Sequence, residues 1–394
     1  MRLQSYVLVV TLVASGIVFG TAVLAGAGAG RPTAVILADP EGTVSDAHFD
    51  GRTAVWIEVG GAGRDPRAAR LAVRPLDAAG PRFRDLAGVS VDPADPLGWL
   101  AGGPRVDGGT VVFATRDGLG GAARHALKAY DLATGALTEL ATGAGAAVIR
   151  EPDVRGRTVA WADGRGADLD IWAMDLDTKA AAPLVADAGN QSGPALSADW
   201  VVWLTGQPGH PVRVVRARRR SGATVSRTLN PGGLAVAVAI DGARVAWVGK
   251  ESPRGTFGAW LYDLGTGRSG RLAAGLGTLG GIGLSRDWIL FSTPRGGPSG
   301  EPGAPPVDRM PGELVAYDAT AVTSLNNLER YLPGTVVAYT TAPVVAPAVA
   351  GAQAVWAEPD DGARGHATDR RVMRLFVVEG TLYLPRLDQN RPAR

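Results

Sequence analysis

Few residues in this chain are suited to chemistry. His48, His125, His210 and His366 are the only imidazoles among 394 residues, and there is no cysteine. Neutral imidazole is a metal ligand and a proton carrier near neutral pH. His48, His125 and His366, if brought together, could hold a metal that activates a water or polarises a substrate; dispersed loop positions are the plainer reading. The lack of cysteine excludes disulfides, thiolate metal sites and a thioether-linked lipid. Asp163, Asp168 and Asp170 suit a hard cation, or else bond the backbone of their own turn. Arg213, Arg216, Arg218, Arg219, Arg220 and Arg227 form the densest basic cluster. It could meet an anionic lipid or polymer, or guard a sheet edge against strand pairing. Gly275-Leu-Gly277-Thr-Leu-Gly280 matches a dinucleotide fingerprint, but that motif needs a helix opening at its end. An apolar strand pattern follows instead, so the segment reads as a turn, and no cofactor is called for. No nucleophile elbow, phosphate loop or His-Glu-x-x-His pair is present.

The elements that must position these residues come from a repeated ten-residue phrase. A Pro or small residue is followed by an apolar third position, a turn pair and a short apolar run ending in an aromatic. The copies begin at Ala47, Pro104, Pro152, Pro194, Val238, Ile282 and Pro347, and end at Trp56, Phe113, Trp161, Trp203, Trp247, Phe291 and Trp356. Those aromatics are 57, 48, 42, 44, 44 and 65 residues apart, and the middle steps match the ~40–45-residue period of four-stranded propeller blades. Turn pairs such as Asp-Gly supply the left-handed geometry of a tight hairpin, joining a first strand to a second. Third strands follow in Leu127–Asp131, Ile171–Asp175 and Ala259–Asp263. Runs such as Thr158-Val-Ala-Trp161 are apolar on both faces, so each sheet must be covered on both sides, which radial stacking achieves. Each aromatic then reads as a core wedge of several kcal/mol, at ~25 cal/mol per Å² over ~150–250 Å².

Composition agrees with short strands and tight turns: 46% of residues are hydrophobic, with 55 glycines and 27 prolines. The net charge of +2 argues against wholesale nucleic-acid binding. Residues 1–30 read as an export segment. The uncharged run from Val7 to Ala25 lies between the length of a signal-peptide core and that of a spanning helix. Ala25, Ala27 and Ala29 offer cleavage sites, so both a cleaved signal and a retained membrane anchor through residues 7–25 are open. Either outcome places the rest outside the cytoplasm.

Asp163-Gly-Arg-Gly-Ala-Asp-Leu-Asp170-Ile-Trp-Ala-Met-Asp-Leu-Asp177 resembles the repeat of TolB-like and related cell-surface propellers of the WD type. The resemblance extends as architecture over roughly residues 34–390 and implies an all-β propeller that binds protein partners through a face, with no catalytic residues carried over. Seven units predict seven blades; TolB-like propellers commonly have six, which is the alternative. Ala34–Asp39 could close the ring by joining the last blade, with Thr381–Leu387 as its rival, and Pro294–Pro311 reads as a long inserted loop. In such a wheel the second residue of each first strand faces the central channel: His48, Arg105, Asp153, Ala195, Ala239, Gly283 and Ala348. His48, Arg105 and Asp153 then make one polar quadrant, with a structural Arg105–Asp153 ion pair as its plainer purpose. The expected function is an exported binding or scaffold module without catalysis. The alternative is a carbohydrate-active enzyme resembling propeller-type polyuronate lyases, using a histidine-bound metal on one face.

Overall fold

The computed structural model describes residues 33–379 except 39, 41, 62, 88, 90, 92–97, 118–122, 146, 207–212, 222–225, 231–232, 251, 253–254, 256, 277–280, 287, 295–311, 319–334, 341–346, 352 and 360–372. The export segment, His210, His366, Gly277 to Gly280, the inserted loop beyond Pro294 and Thr381–Leu387 therefore lie outside the described residues, as do the side chains of Arg213 and of the strand Met373–Glu379.

The described residues are all-β, with no helix among them, and form seven antiparallel sheets, six of four strands and one of five. Each repeated phrase falls on the hairpin made by the first two strands of one sheet. In chain order these hairpins are His48–Phe49 with Thr53–Val59 (sheet one), Leu100–Asp107 with Thr110–Asp117 (two), Ile149–Arg155 with Thr158–Asp163 (three) and Asn190–Leu196 with Trp200–Gly206 (four). Leu234–Asp241 with Arg244–Lys250 (five), Ile282–Leu284 with Trp288–Pro294 (six) and Ala348–Ala350 with Gln353–Pro359 (seven) complete the series. At the turns, Gly156 and Gly242 each take φ +57, the left-handed geometry a two-residue hairpin demands. Sheet one gains its fifth strand because Thr43–Val44 and His48–Phe49 both pair with Thr53–Val59.

First strands of successive sheets touch around the whole circuit, and that of sheet seven meets that of sheet one. The result is a propeller of four-stranded antiparallel blades with the first strands innermost. The aromatic that ends each phrase packs against the sheet before it. Trp56 clusters with Ala348 and Val355 of sheet seven, Phe113 with Val55 and Leu71 of sheet one, and Trp161 with Val112 and Leu127 of sheet two. Trp203, Trp247, Phe291 and Trp356 do the same against sheets three, four, five and six. Truncating such a wedge to alanine costs about 3–5 kcal/mol.

A buried indole also needs an acceptor. Residues two apart on a strand share a face, and that spacing supplies it: Trp56 Nε1 donates to Glu58 at 2.9 Å, Trp161 to Asp163 at 2.7 Å and Trp203 to Thr205 Oγ1 at 2.9 Å. Glu58 and Asp163 are in turn held by Arg70 and Arg165, each at 2.6 Å.

The aspartate that ends the third strand is structural. Asp131 accepts from the backbone N–H of Ala133 and Thr134 at 3.0 and 2.7 Å, and Asp175 accepts from those of Asp177 and Thr178 at 2.9 Å each. Asp263 does the same for Gly265 and Thr266. These bonds close the turn into the fourth strand, and they hold the Asp131 and Asp175 carboxyls below the usual range. The ring closes through the N-terminal strand. Thr33–Ala38 pairs antiparallel with Met373–Glu379, from Thr33 opposite Glu379 to Ala38 opposite Leu375, and so becomes the outermost strand of sheet seven.

Candidate functional site

Each innermost strand is the edge of its sheet, so its outward N–H groups lack ladder partners and must be satisfied across the junction or by solvent. Where the sheets converge, the innermost strands of sheets two to four carry register shifts just before the second phrase residue, Gly102/Arg105, Arg150/Asp153 and Ser192/Ala195, and that of sheet five carries one just before its phrase, Ala235/Ala237. A bulge re-aims the next side chain, and here it turns the second position into the axial channel. His48 Nδ1 accepts the N–H of Val106 in sheet two at 3.1 Å, and Asp153 Oδ2 accepts that of Leu196 in sheet four at 2.7 Å. Both side chains therefore join neighbouring innermost strands. In sheet six the same position is Gly283, whose absent Cβ would collide with the carbonyl of Pro347.

The channel has a volume of about 620 Å³ and is lined by all seven innermost strands. Its two sides differ. Asp46, His48, Arg105, Glu151, Asp153 and Arg155 mark the arc of sheets one to three, whereas Val236 and Ala239 of sheet five, Gly283 of sheet six and Ala348 of sheet seven mark the other, beside Asp241, Ser285 and Arg286. Val236 is 38% exposed, one of the few large apolar side chains left open to solvent among the described residues. Arg155 reaches Asp107 at 3.4 Å and, across the channel, Asp241 at 3.7 Å.

Burial dominates the protonation of the charged arc. It pushes the Asp46 and Asp153 carboxyls above their ordinary range, opposed by the Arg105 guanidinium and, for Asp153, first by the Leu196 N–H. It lowers His48 to about 3, assisted by Arg105 and Arg155, so the ring is a neutral acceptor at physiological pH.

His48, Arg105 and Asp153 share the channel, as the phrase alignment predicts, but the expected Arg105–Asp153 ion pair is not formed among the described residues. Asp153 is already engaged by Leu196, while Arg105 donates to the carbonyl of Pro104 at 3.1 Å. Asp46 and Glu151 escaped the sequence reading, although each directly precedes the first residue of its phrase, a position that could have been aligned. Glu151 accepts the N–H of Gly193 at 2.6 Å. Arg155 and Val236 carry no comparable signal, because only ring closure sets them in one cavity.

The less favoured groupings draw no support among the described residues. His125 lies on the third strand of sheet two, Arg124–Asp131, rather than in the loop expected to carry it, and no cluster of three or more metal-ligating residues occurs among the described residues. Asp163 is consumed by Trp161 and Arg165, while burial and then Asp168 raise the Asp170 carboxyl. The arginines do not form one patch. Arg216 pairs with Asp187 at 3.6 Å, Arg219 stacks over Trp200 at 4.8 Å, Arg220 crosses to Thr158 of sheet three and Arg227 reaches the carbonyl of Leu264 at 3.4 Å. Arg218 stands between Arg216 and Arg220 on the same strand face, half-buried.

No protein-family model matches the chain, and no curated protein matches its sequence. Solved structures do. The β-propeller domain of the Trilobed protease from Pyrococcus furiosus aligns at TM-score 0.55 and 12% identity, over 87% of this chain and 95% of that one. The likeness is one of fold. A puromycin-hydrolyzing peptidase of Mycobacterium tuberculosis aligns at TM-score 0.56 and 15% identity, over 82% of this chain and 50% of that one. Acylaminoacyl peptidase of Pyrococcus horikoshii aligns at 0.54 and 10%, over 86% and 52%. This chain thus spans about half the length of those peptidases. TolB from Acinetobacter baumannii aligns at 0.45 and 15%, over 72% and 63%. The propeller resemblance read from the repeat holds at the level of fold. The expectation of a chain without catalysis is corrected, because propellers of this shape are built into proteins that are peptidases.

Proposed function

We propose that this chain is an extracytoplasmic propeller that binds an extended segment of a partner protein in its axial channel. Its seven sheets are read as seven blades, and residues 1–30 as its export signal or anchor. The two-sided lining of the channel carries the reading. A polypeptide presents backbone donors and acceptors beside apolar side chains, and a lining with Arg105, Glu151 and Asp153 on one arc and Val236, Ala239 and Ala348 on the other offers a match for both. The catalytic alternative based on a histidine-bound metal draws no support from the placement of His48, whose Nδ1 lone pair is already used by Val106.

The test is selection of displayed peptides on the full chain, followed by affinity measurement with Arg105→Ala and Val236→Asp. Selected peptides should lose tenfold or more in affinity with each variant. Peptides that bind both variants as tightly as the parent would place recognition elsewhere and overturn the reading.

A further inference from the structure

A second cavity, of about 540 Å³, opens between sheets two and three, and its wall includes Arg116, His125, Gly145, Arg150 and Glu151. Arg116 stands directly opposite His125 on the paired strands Thr110–Asp117 and Arg124–Asp131, so the two side chains share one sheet face. His125 is 4% exposed, and its Nδ1 has no hydrogen-bond partner. The Nε of Arg150 is also buried without a hydrogen bond, its nearest carboxylate being Glu151 at 3.8 Å. Leaving such groups unmatched is costly, and each unsatisfied polar atom in a folded protein asks for a reason. Here the two orphaned nitrogens belong to residues that line the same cavity.

The charge of the wall indicates what would satisfy them. Two guanidiniums face one carboxylate, and Glu151 already accepts the N–H of Gly193 through Oε2. The lining itself is positive by one charge, Asp117 acting on His125 from outside it, and a planar group with two acceptor oxygens matches guanidinium and imidazole donors together. Glu151 also lines the axial channel, so it is a wall common to cavity and channel. Its backbone is left-handed, with φ +52, a geometry that costs a non-glycine residue energy and concentrates at functional sites. Sheet two presses on it there: a Cβ on Gly102 would lie 2.8 Å from the Glu151 nitrogen.

We propose that this cavity is a carboxylate site, holding the C-terminal carboxylate of the segment that lies in the axial channel. The proposal rests on the channel reading above and adds the direction and anchor of the bound chain. His125 acts as a proton-linked member of the site. Burial and Arg116 hold its ring below the ordinary imidazole range, while Asp117 and the carbonyl of Ile149 favour the charged form. Arg150 and Glu151 face it from sheet three. A bound carboxylate shifts the balance toward the charged ring, so binding takes up a proton and strengthens as pH falls.

Two measurements on the full chain test this. The first follows the four histidine ring signals by NMR during titration with acetate, and separately with inorganic phosphate, His125 being identified with His125→Gln. Acetate should shift the His125 signal in the parent and not in Arg150→Gln or Arg116→Gln, the latter altering an exposed side chain. No shift with acetate, or a shift with phosphate alone, overturns the proposal. The second compares channel-binding peptides made as free acids and as C-terminal amides. Amidation should weaken binding tenfold or more on the parent and leave it unchanged on Arg150→Gln. Equal binding of acid and amide, with Arg105→Ala still weakening both, removes the anchor and leaves the channel reading standing. Failure of Arg105→Ala to weaken either peptide would sink the channel reading, while the acetate titration still decides whether the cavity takes a carboxylate.

Discussion

Replacing Asp163 with alanine should destabilise the protein by about 2–5 kcal/mol. The carboxylate is fully buried and accepts the indole N–H of Trp161 at 2.7 Å, the Arg165 Nε at 2.9 Å to each oxygen and the Arg165 Nη2 at 2.6 Å. Without it, the Trp161 donor is left dry in the seam between sheets two and three, a loss of about 1–3 kcal/mol. The void left by the lost carboxyl adds about 1 kcal/mol. The Arg165 side chain is 37% exposed and can rehydrate, so the broken ion pair contributes less than about 1 kcal/mol. Asp163→Asn keeps an oxygen for the indole and should cost roughly half as much. Urea unfolding followed by tryptophan fluorescence gives the differences, and a cycle with Trp161→Phe, which removes the donor, isolates the bond. In the Phe background Asp163→Ala should cost about 1–2 kcal/mol less than in the parent. Strict additivity, or an alanine variant within about 0.5 kcal/mol of the parent, would refute the claim that this acceptor exists to satisfy the wedge.

Two further outcomes follow from the same structure. The folded state depresses His48 to about 3 from 6.5, so its contribution is complete above about pH 6.5 and is lost as pH falls toward 3, on the order of 2 kcal/mol by pH 5. The buried Asp46 and Asp153 carboxyls, raised in the folded state, act in the opposite sense, so the effect is read as a difference: His48→Gln should lose less stability than the parent between pH 6.5 and 4.5 in urea titrations. Deleting residues 1–38 removes the outer strand of sheet seven and exposes the edge of Met373–Glu379; the truncated chain should unfold at lower urea and self-associate by light scattering, and an unchanged midpoint would contradict closure through Thr33–Ala38.

What was legible in the sequence was whatever repeats. The phrase ending in Trp56, Phe113 or Trp161 marks a hairpin because strand periodicity and turn chemistry are local, and a wedge aromatic recurs because every sheet faces the same neighbour problem. The closing strand was visible too, since Ala34–Asp39 was placed to join the last blade, though its rival at Thr381–Leu387 fitted the same place. The site was only half legible. Aligning the phrases brought His48, Arg105 and Asp153 to one channel, but left the surroundings of His125 and of the arginines open, because sequence proximity and loop position say nothing about which sheet face a side chain occupies. Strand alternation sends Arg216 toward Asp187 while Arg219 covers Trp200. Tertiary structure alone decided the rest: closing the wheel set the small and apolar side chains of sheets five to seven against the charges of sheets one to three, with bulges just before Arg105 and Asp153. Such a pairing depends on curvature summed over every sheet, a property that no single repeat contains.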